Sequence, residues 1–304
     1  VSAFLLTRSS DLDLVEGYEA SPVATCKFVH PQFDSNGVLA VTGRTRLSDA
    51  LEAVGGREEV AKTITAILWE GNYAVYNREL QSLDNPNMLI YVNDESLAPQ
   101  NRDNVIIGDF AKNIVLTDVE SGNNNFYCPQ EFTAEMISYT RNFQQQTEIG
   151  VSRGWETIAL PFTVQTIMHE KNGVITPFGN DASGKHFWLR RLGDSGLTQA
   201  TAIEANVPYV ISMPNDEVNY AEEFNLSGRV TFTAQEVTIP VTEPVTLALA
   251  DSTIKMMPAF QSIGRASDVW AINVGETRGQ YLEGSVFERD YREVRPFEAL
   301  EIGR

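Results

Sequence analysis

Apolar residues recur along this chain with two different periods. Leu47, Ala50, Leu51 and Val54 keep helical spacing, with Ser48 or Asp49 near the start and Gly55-Gly56 as a stop. A short amphipathic helix is therefore expected near 46–54. Ile64-Thr-Ala-Ile67-Leu-Trp69-Glu-Gly-Asn72 follows the leucine-rich-repeat pattern of apolar residues closed by an Asn. Its physical logic is a short strand, then an Asn whose amide bonds the turning backbone. Leu80-Gln-Ser-Leu83 opens a similar turn and leads into Asn85-Pro86-Asn87, a turn signal. The apolar strand Met88–Val92 follows, and further strands are expected at Val105–Ile107 and Ile114–Leu116. Spacing between these units is irregular and one unit matches well, which suits a short terminal piece of a solenoid better than a full array. Residues 1–45 show no clear pattern.

Beyond the polar loop Ser121–Asn125 the period becomes two. Ile158, Leu160, Phe162 and Val164 alternate, as do Val207, Tyr209, Ile211 and Met213. Val230, Phe232 and Ala234 form another set, and Val237, Ile239 and Val241 the next. Val245, Leu247 and Leu249, then Trp270, Ile272 and Val274, complete the series. Period two means one buried and one wet face. Short strands separated by turn residues indicate an antiparallel sandwich or barrel. The fold class expected is mainly β: a short leucine-rich-repeat-like α/β segment followed by an antiparallel β-sandwich. At about 150 residues per domain, 304 residues suit two domains, placed at 1–120 and 121–304. Trp155 and Phe162 have opposite parity, so one is expected in the sandwich core and the other against the N-terminal domain. Pro161 and Pro296 lack a backbone donor and fit strand edges or bulges.

Composition narrows the partners. A net charge of −18, from 41 acidic and 23 basic residues, argues against nucleic acid and anionic lipid surfaces, both of which call for clustered Lys and Arg. The acidic residues are spread along the chain and read as a solvated outer surface. No run approaches the roughly eighteen apolar residues of a membrane span. The chain begins at Val1, which reads as a trimmed product whose targeting signal is gone. Cys26 and Cys128 either form one disulfide or are two buried thiols. No CxxC is present, which excludes a zinc ribbon or thioredoxin-type site.

No catalytic set assembles. Gly193-Asp194-Ser195-Gly196 is similar to the nucleophile segment of trypsin-like proteases, but a triad also needs a placed His and Asp. The histidines are His30, His169 and His186, none in such a setting, so a hairpin turn between Leu192 and Leu197 is the better reading. His169-Glu170 lacks the second His of a zincin helix. Asp11, Asp13 and Glu16 lack the spacing of a calcium loop and read as a solvated turn. No metal site, cofactor or phosphate-binding loop is expected. Asn225-Leu-Ser227 is a glycosylation sequon in form. Trp155, Trp188, Trp270 and Tyr281 could stack on sugars or serve as strand core. Trp188 and Tyr281 are the ligand-binding candidates.

Several segments carry a resemblance. They are Asn85-Pro-Asn-Met-Leu-Ile-Tyr-Val92, Phe126-Tyr-Cys-Pro129, Phe132-Thr-Ala134 and Ile137-Ser-Tyr-Thr-Arg141, then Gly154-Trp-Glu-Thr-Ile158 with Leu160-Pro-Phe162. Ala205-Asn-Val-Pro-Tyr209 and Val294-Arg-Pro-Phe-Glu-Ala299 follow in order. Together they resemble secreted and surface-exposed proteins of Bacteroidetes that carry leucine-rich-repeat-like pieces, over residues 64 to 300. Leu300 stands where an aromatic is usual there. The resemblance implies an exported protein at or beyond the outer membrane, with a role in adhesion or in binding host or dietary macromolecules, glycan or protein. It supplies no catalytic residues. A non-catalytic binding module is the function expected; the alternatives are a carbohydrate-active hydrolase using an acidic pair, and a structural spacer of a larger surface protein.

Overall fold

A computed structural model describes residues 31–118, 122–216, 221–250, 252–274 and 280–303. Asp11, Asp13, Glu16, Cys26 and His30 lie outside the described residues. The described chain opens with β1 (Gln32–Phe33), β2 (Val38–Gly43), α1 (Leu47–Ala53), α2 (Arg57–Ala61), β3 (Ala66–Gly71) and α3 (Asn77–Leu80). β4 (Leu89–Val92), β5 (Val105–Ile107), β6 (Phe110–Thr117) and β7 (Phe132–Phe143) follow. The helix expected near 46–54 is α1.

β2, β3, β4 and β5 pair in parallel in chain order, aligning Leu39 with Ile67, Ile67 with Ile90 and Ile90 with Val105. Parallel neighbours need crossovers, and α1–α2 and α3 supply the first two. Alternate strand residues feed two cores. Leu39, Val41, Ile67, Trp69, Ile90 and Val92 pack beneath the helices with Leu47, Leu51, Val60 and Leu80. Val38, Ala66, Leu89, Tyr91 and Ile106 face the opposite way into a larger core. β4 is apolar throughout because both its faces are buried.

Asparagines brace the turns ahead of the strands. Asn85 Nδ2 donates to the carbonyls of Ile64 at 2.6 Å and Asn125 at 2.8 Å. Asn87 accepts from Thr117 N at 2.9 Å and donates to the Thr117 and Asn124 carbonyls at 3.1 and 2.9 Å. Asn104 sits at φ 64°, which Asn tolerates, and donates to the Pro86 and Val115 carbonyls. Asn72, expected in this role, is exposed just after β3. The backbone-holding amides precede β4 and β5, where their carbonyl partners are buried and cannot turn to water.

The remaining strands are β8 (Glu156–Ile158), β9 (Thr166–His169), β10 (Gly173–Val174), β11 (Thr176–Pro177), β12 (His186–Gly193) and β13 (Gly196–Gln199). After them come β14 (Tyr209–Ser212), β15 (Gly228–Ile239), β16 (Leu247–Ala248), β17 (Lys255–Ala259), β18 (Trp270–Ile272), β19 (Phe287–Arg289) and β20 (Glu298–Ile302). The molecule is mainly β. One ten-stranded sheet has the order β1-β2-β3-β4-β5-β6-β7-β15-β9-β10. It runs unbroken across residue 120, because β6 pairs in parallel with β7 from Phe110–Thr133 to Thr117–Thr140. A second sheet runs β11-β12-β14-β8 with β13 beside β12, and a third runs β16-β17-β20-β18-β19.

The apolar runs at 230–234 and 237–241 meet within one strand. β15 buries Val230, Phe232 and Ala234, then changes face across Gln235-Glu236 to bury Ile239. β7 changes face at the same level, across Glu135-Met136. Two consecutive exposed residues on paired strands let the sheet turn its apolar side while keeping register. The expected strand from 158 to 164 is cut short at Ile158, although Leu160 and Phe162 remain fully buried. Pro161 and Pro296 both lie outside strands.

The inner faces of β6, β7 and β15 meet β8, β12 and β14 in one core. Ile137, Tyr139 and Phe232 share that core with Ile158, Phe187, Leu189, Tyr209 and Ile211. The third sheet covers part of the second sheet's other face, where Leu192 and Val210 pack with Met256 and Ala299. β14 thus has no wet face, contrary to its alternating sequence, because it lies between two cores. Phe162 belongs to the main core, as parity suggested for one of the pair. Trp155 packs instead against the Val210–Met256–Ala299 cluster, and so against the C-terminal sheet, not the N-terminal strands.

Candidate binding cleft

β12 alternates from His186 to Arg190. Phe187 and Leu189 point into the main core, while His186, Trp188 and Arg190 point to the opposite face. Toward Leu192 that face is covered by the third sheet; toward Trp188 it is open. An open cleft of about 390 Å³ forms there, lined by Trp155, Trp188, Arg153, Arg190 and Ser212 together with the turn 147–152. Trp188 is paired across the sheet with Ser212, whose hydroxyl donates to Gly154 O at 2.8 Å. Trp188 also lies 5.6 Å, centroid to centroid, from Phe178, which lies 5.2 Å from His186. The Arg190 guanidinium sits 5.2 Å from the centre of the Trp155 ring, a cation–π contact.

Backbone approach holds the Trp155 segment. Gly154 N donates to Glu283 O and Trp155 N to Gly284 O, both at 3.0 Å. Gly154 and Gly284 have φ of 76° and 64°. A Cβ at Gly154 would meet the Gln146 carbonyl, and one at Gly284 the backbone of Trp155. Only glycine allows this contact. Arg153 bonds Glu283 and approaches Glu148 at 3.6 Å, tying the 147–152 turn to the segment that holds Trp155. Ile149, 62% exposed, caps that lip.

Two further recesses have no tryptophan among the residues that line them. One of about 820 Å³ is lined by His169, Lys171, Asn172, Glu222, Glu223 and Asn225, among others. Its histidine is committed: Nδ1 accepts from the Lys171 and Asn172 amides, and Nε2 donates to Ser227 O at 2.8 Å. The other, of about 660 Å³, lies between residues 95 and 113 and has Arg102, Ile107, Phe110 and Lys112 on its walls.

A buried ionic cluster joins all three sheets. Arg141, on β7, is 5% exposed. Its Nε donates to Tyr139 Oη at 2.9 Å and lies 3.2 Å from Asp118 Oδ2. Nη1 donates to Thr157 O on β8 at 2.6 Å, and Nη2 to Phe297 O beside β20 at 3.1 Å. Glu298 Oε2 accepts from Arg292 Nη1 at 2.7 Å. Glu156 keeps some exposure as a residue, but its carboxyl is enclosed. Burial pushes that carboxyl up to about 7; the Arg141 charge opposes the shift, and Glu298 and Asp118 add to it. Neither Glu156 nor Glu298 lines any of the three recesses.

The remaining sequence candidates fall as follows. Trp188 lines the cleft; Tyr281 is 46% exposed and does not line it, although its neighbours Glu283 and Gly284 hold the Trp155 segment. Trp270 is half-buried on β18, opposite Arg289 and Glu301. Gly193-Asp-Ser-Gly196 is a two-residue hairpin, with Leu192 facing Leu197. Cys128 is a buried thiol beside Tyr91 Oη at 3.4 Å. In the sequon, Asn225 Oδ1 accepts from the Ser227 amide and hydroxyl. Among the described residues no group of three or more His, Cys, Asp or Glu is arranged to hold a metal. No helix among them is long and apolar enough to cross a membrane. Arg190 was not singled out in the sequence, yet the alternation His186-x-Trp188-x-Arg190 places it on the Trp188 face. Arg141 gave no such signal, since its partners come from three distant segments. The chain matches no protein-family model, and no curated protein or solved structure is significantly similar to it.

Proposed function

We propose that this chain is a non-catalytic binding module of an exported or surface protein, engaging a macromolecule through the Trp155–Trp188 cleft. One observation carries it: two half-buried tryptophans meet at an open, mixed apolar and polar cleft, Trp188 on β12, whose Phe187 and Leu189 are buried on the other face, and Trp155 on the segment just ahead of β8. Sites on strands hold their geometry better than sites on loops, which applies here to Trp188, Arg190 and Ser212. The parallel β2–β5 run with its crossover helices supports reading the N-terminal part as leucine-rich-repeat-like. The single hydrophobic core shared by β6, β7 and β15 with β8, β12 and β14 supports reading the rest as a β-sandwich. Export and adhesion rest on the resemblance to surface proteins of Bacteroidetes.

The competing reading is a hydrolase built on an acidic pair, and the raised Glu156 carboxyl is the observation in its favour. Against it, the carboxylates around Arg141 serve a junction between sheets and open onto none of the three recesses. A glycan array and a host-protein pull-down with the purified chain test the binding proposal. Retention of a ligand by the wild type and its loss in Trp188→Ala supports the proposal. Binding unaffected by that change places the site elsewhere and overturns it.

A further inference from the structure

What the cleft selects follows from its charges, and the inference rests on the binding reading above. The charged residues lining it are Arg153, Arg190 and Glu148, two positive and one negative, on a chain of net charge −18. Arg153 is committed to Glu283 and Glu148. Arg190 is exposed and forms no ion pair among the described residues; the next residue, Arg191, approaches Glu204 at 3.8 Å. Of the two arginines lining the cleft, Arg190 is thus the one whose charge no carboxylate of the described residues neutralises. The Trp155 ring lies 5.2 Å from the Arg190 guanidinium, and an aromatic contact of this kind leaves the N–H donors without a hydrogen-bond acceptor. That planar fork matches a carboxylate or sulfate better than a neutral hydroxyl. Trp188 lies two residues earlier on the same strand face, about 7 Å along the strand, a separation on the scale of one sugar ring.

We infer that the cleft takes an acidic saccharide, with a sugar face against Trp188 and its carboxylate or sulfate on Arg190. Isothermal titration of the full chain against tetragalacturonate, a sulfated carrageenan tetrasaccharide and cellotetraose tests this. At least one acidic oligosaccharide should bind about tenfold or more tightly than cellotetraose, and the first two arms distinguish the oxyanion. Arg190→Gln should cancel that preference, while Trp188→Ala should abolish binding of all three. Circular dichroism and an unchanged melting temperature confirm that both variants fold. Equal affinity for cellotetraose and the acidic probes, with loss in Trp188→Ala, overturns the acidic preference and leaves the cleft reading standing. An acidic preference that survives Arg190→Gln also overturns it. Silence toward all three probes, with no array or pull-down ligand, overturns both.

Discussion

Glu156 makes the stability of this fold depend on pH in an unusual direction. Burial raises its carboxyl from 4.5 to about 7 in the native state, against the pull of Arg141 and with help from Glu298 and Asp118. Between those values the folded chain holds a proton that the unfolded chain has released. Stability therefore falls as pH rises through the window, and the effect is complete above the folded value. The full shift corresponds to about 3 kcal/mol, and about 2 kcal/mol of it falls between pH 5.5 and 8.5, a range clear of the isoelectric point. Glu156→Gln carries the shape of the protonated acid without the charge. Urea unfolding of both proteins across that range is the assay, and the wild-type minus variant difference removes the background of other titrating groups. The variant should lose the decline and be the more stable protein at pH 8.5. Parallel pH profiles, or a variant less stable than wild type at pH 8.5, would refute the assignment of an enclosed carboxyl raised by burial.

Three other outcomes follow from the geometry. Arg141→Met should cost about 3–5 kcal/mol in urea unfolding, because it strands Asp118 and two buried carbonyls that the guanidinium now satisfies. Asn87→Ala should lower stability by about 2 kcal/mol or more through the unpaired Thr117 and Asn124 groups, while Asn72→Ala stays within about 0.5 kcal/mol. Burial pushes the Cys128 thiol up to about 11, so in a Cys26→Ser background it should resist iodoacetamide at pH 8 until denaturant is added; rapid native alkylation would contradict that burial.

Much of the local structure was legible because it depends on short-range pattern. Helical spacing from Leu47 to Val54 marks α1, and the apolar segments at 88–92 and 105–107 mark β4 and β5. Turn chemistry reveals the hairpin at Asp194-Ser195. Strand parity was legible too: it places Trp188 opposite Phe187, and thereby on an outer face. The errors came where burial on the second face decides. β14 alternates in sequence and is nonetheless buried throughout, because a third sheet lies over it. Trp155 packs on C-terminal strands that no local pattern connects to it.

The sequence by itself determined a β-rich chain, an acidic surface, a short helix, and one aromatic at the eventual cleft. Period and turn residues carry that information within a few positions of each other. Tertiary structure alone decided that asparagines ahead of the strands, and not Asn72, brace the turns. It also set Arg141 across three sheets and raised the Glu156 carboxyl. It brought Arg153, Trp155, Trp188 and Arg190 to one opening, where the third sheet ends. Each of these depends on pairing between segments tens to more than a hundred residues apart, whose energies come from burial and enclosed charge. Neither is a property of a residue in its local stretch of chain.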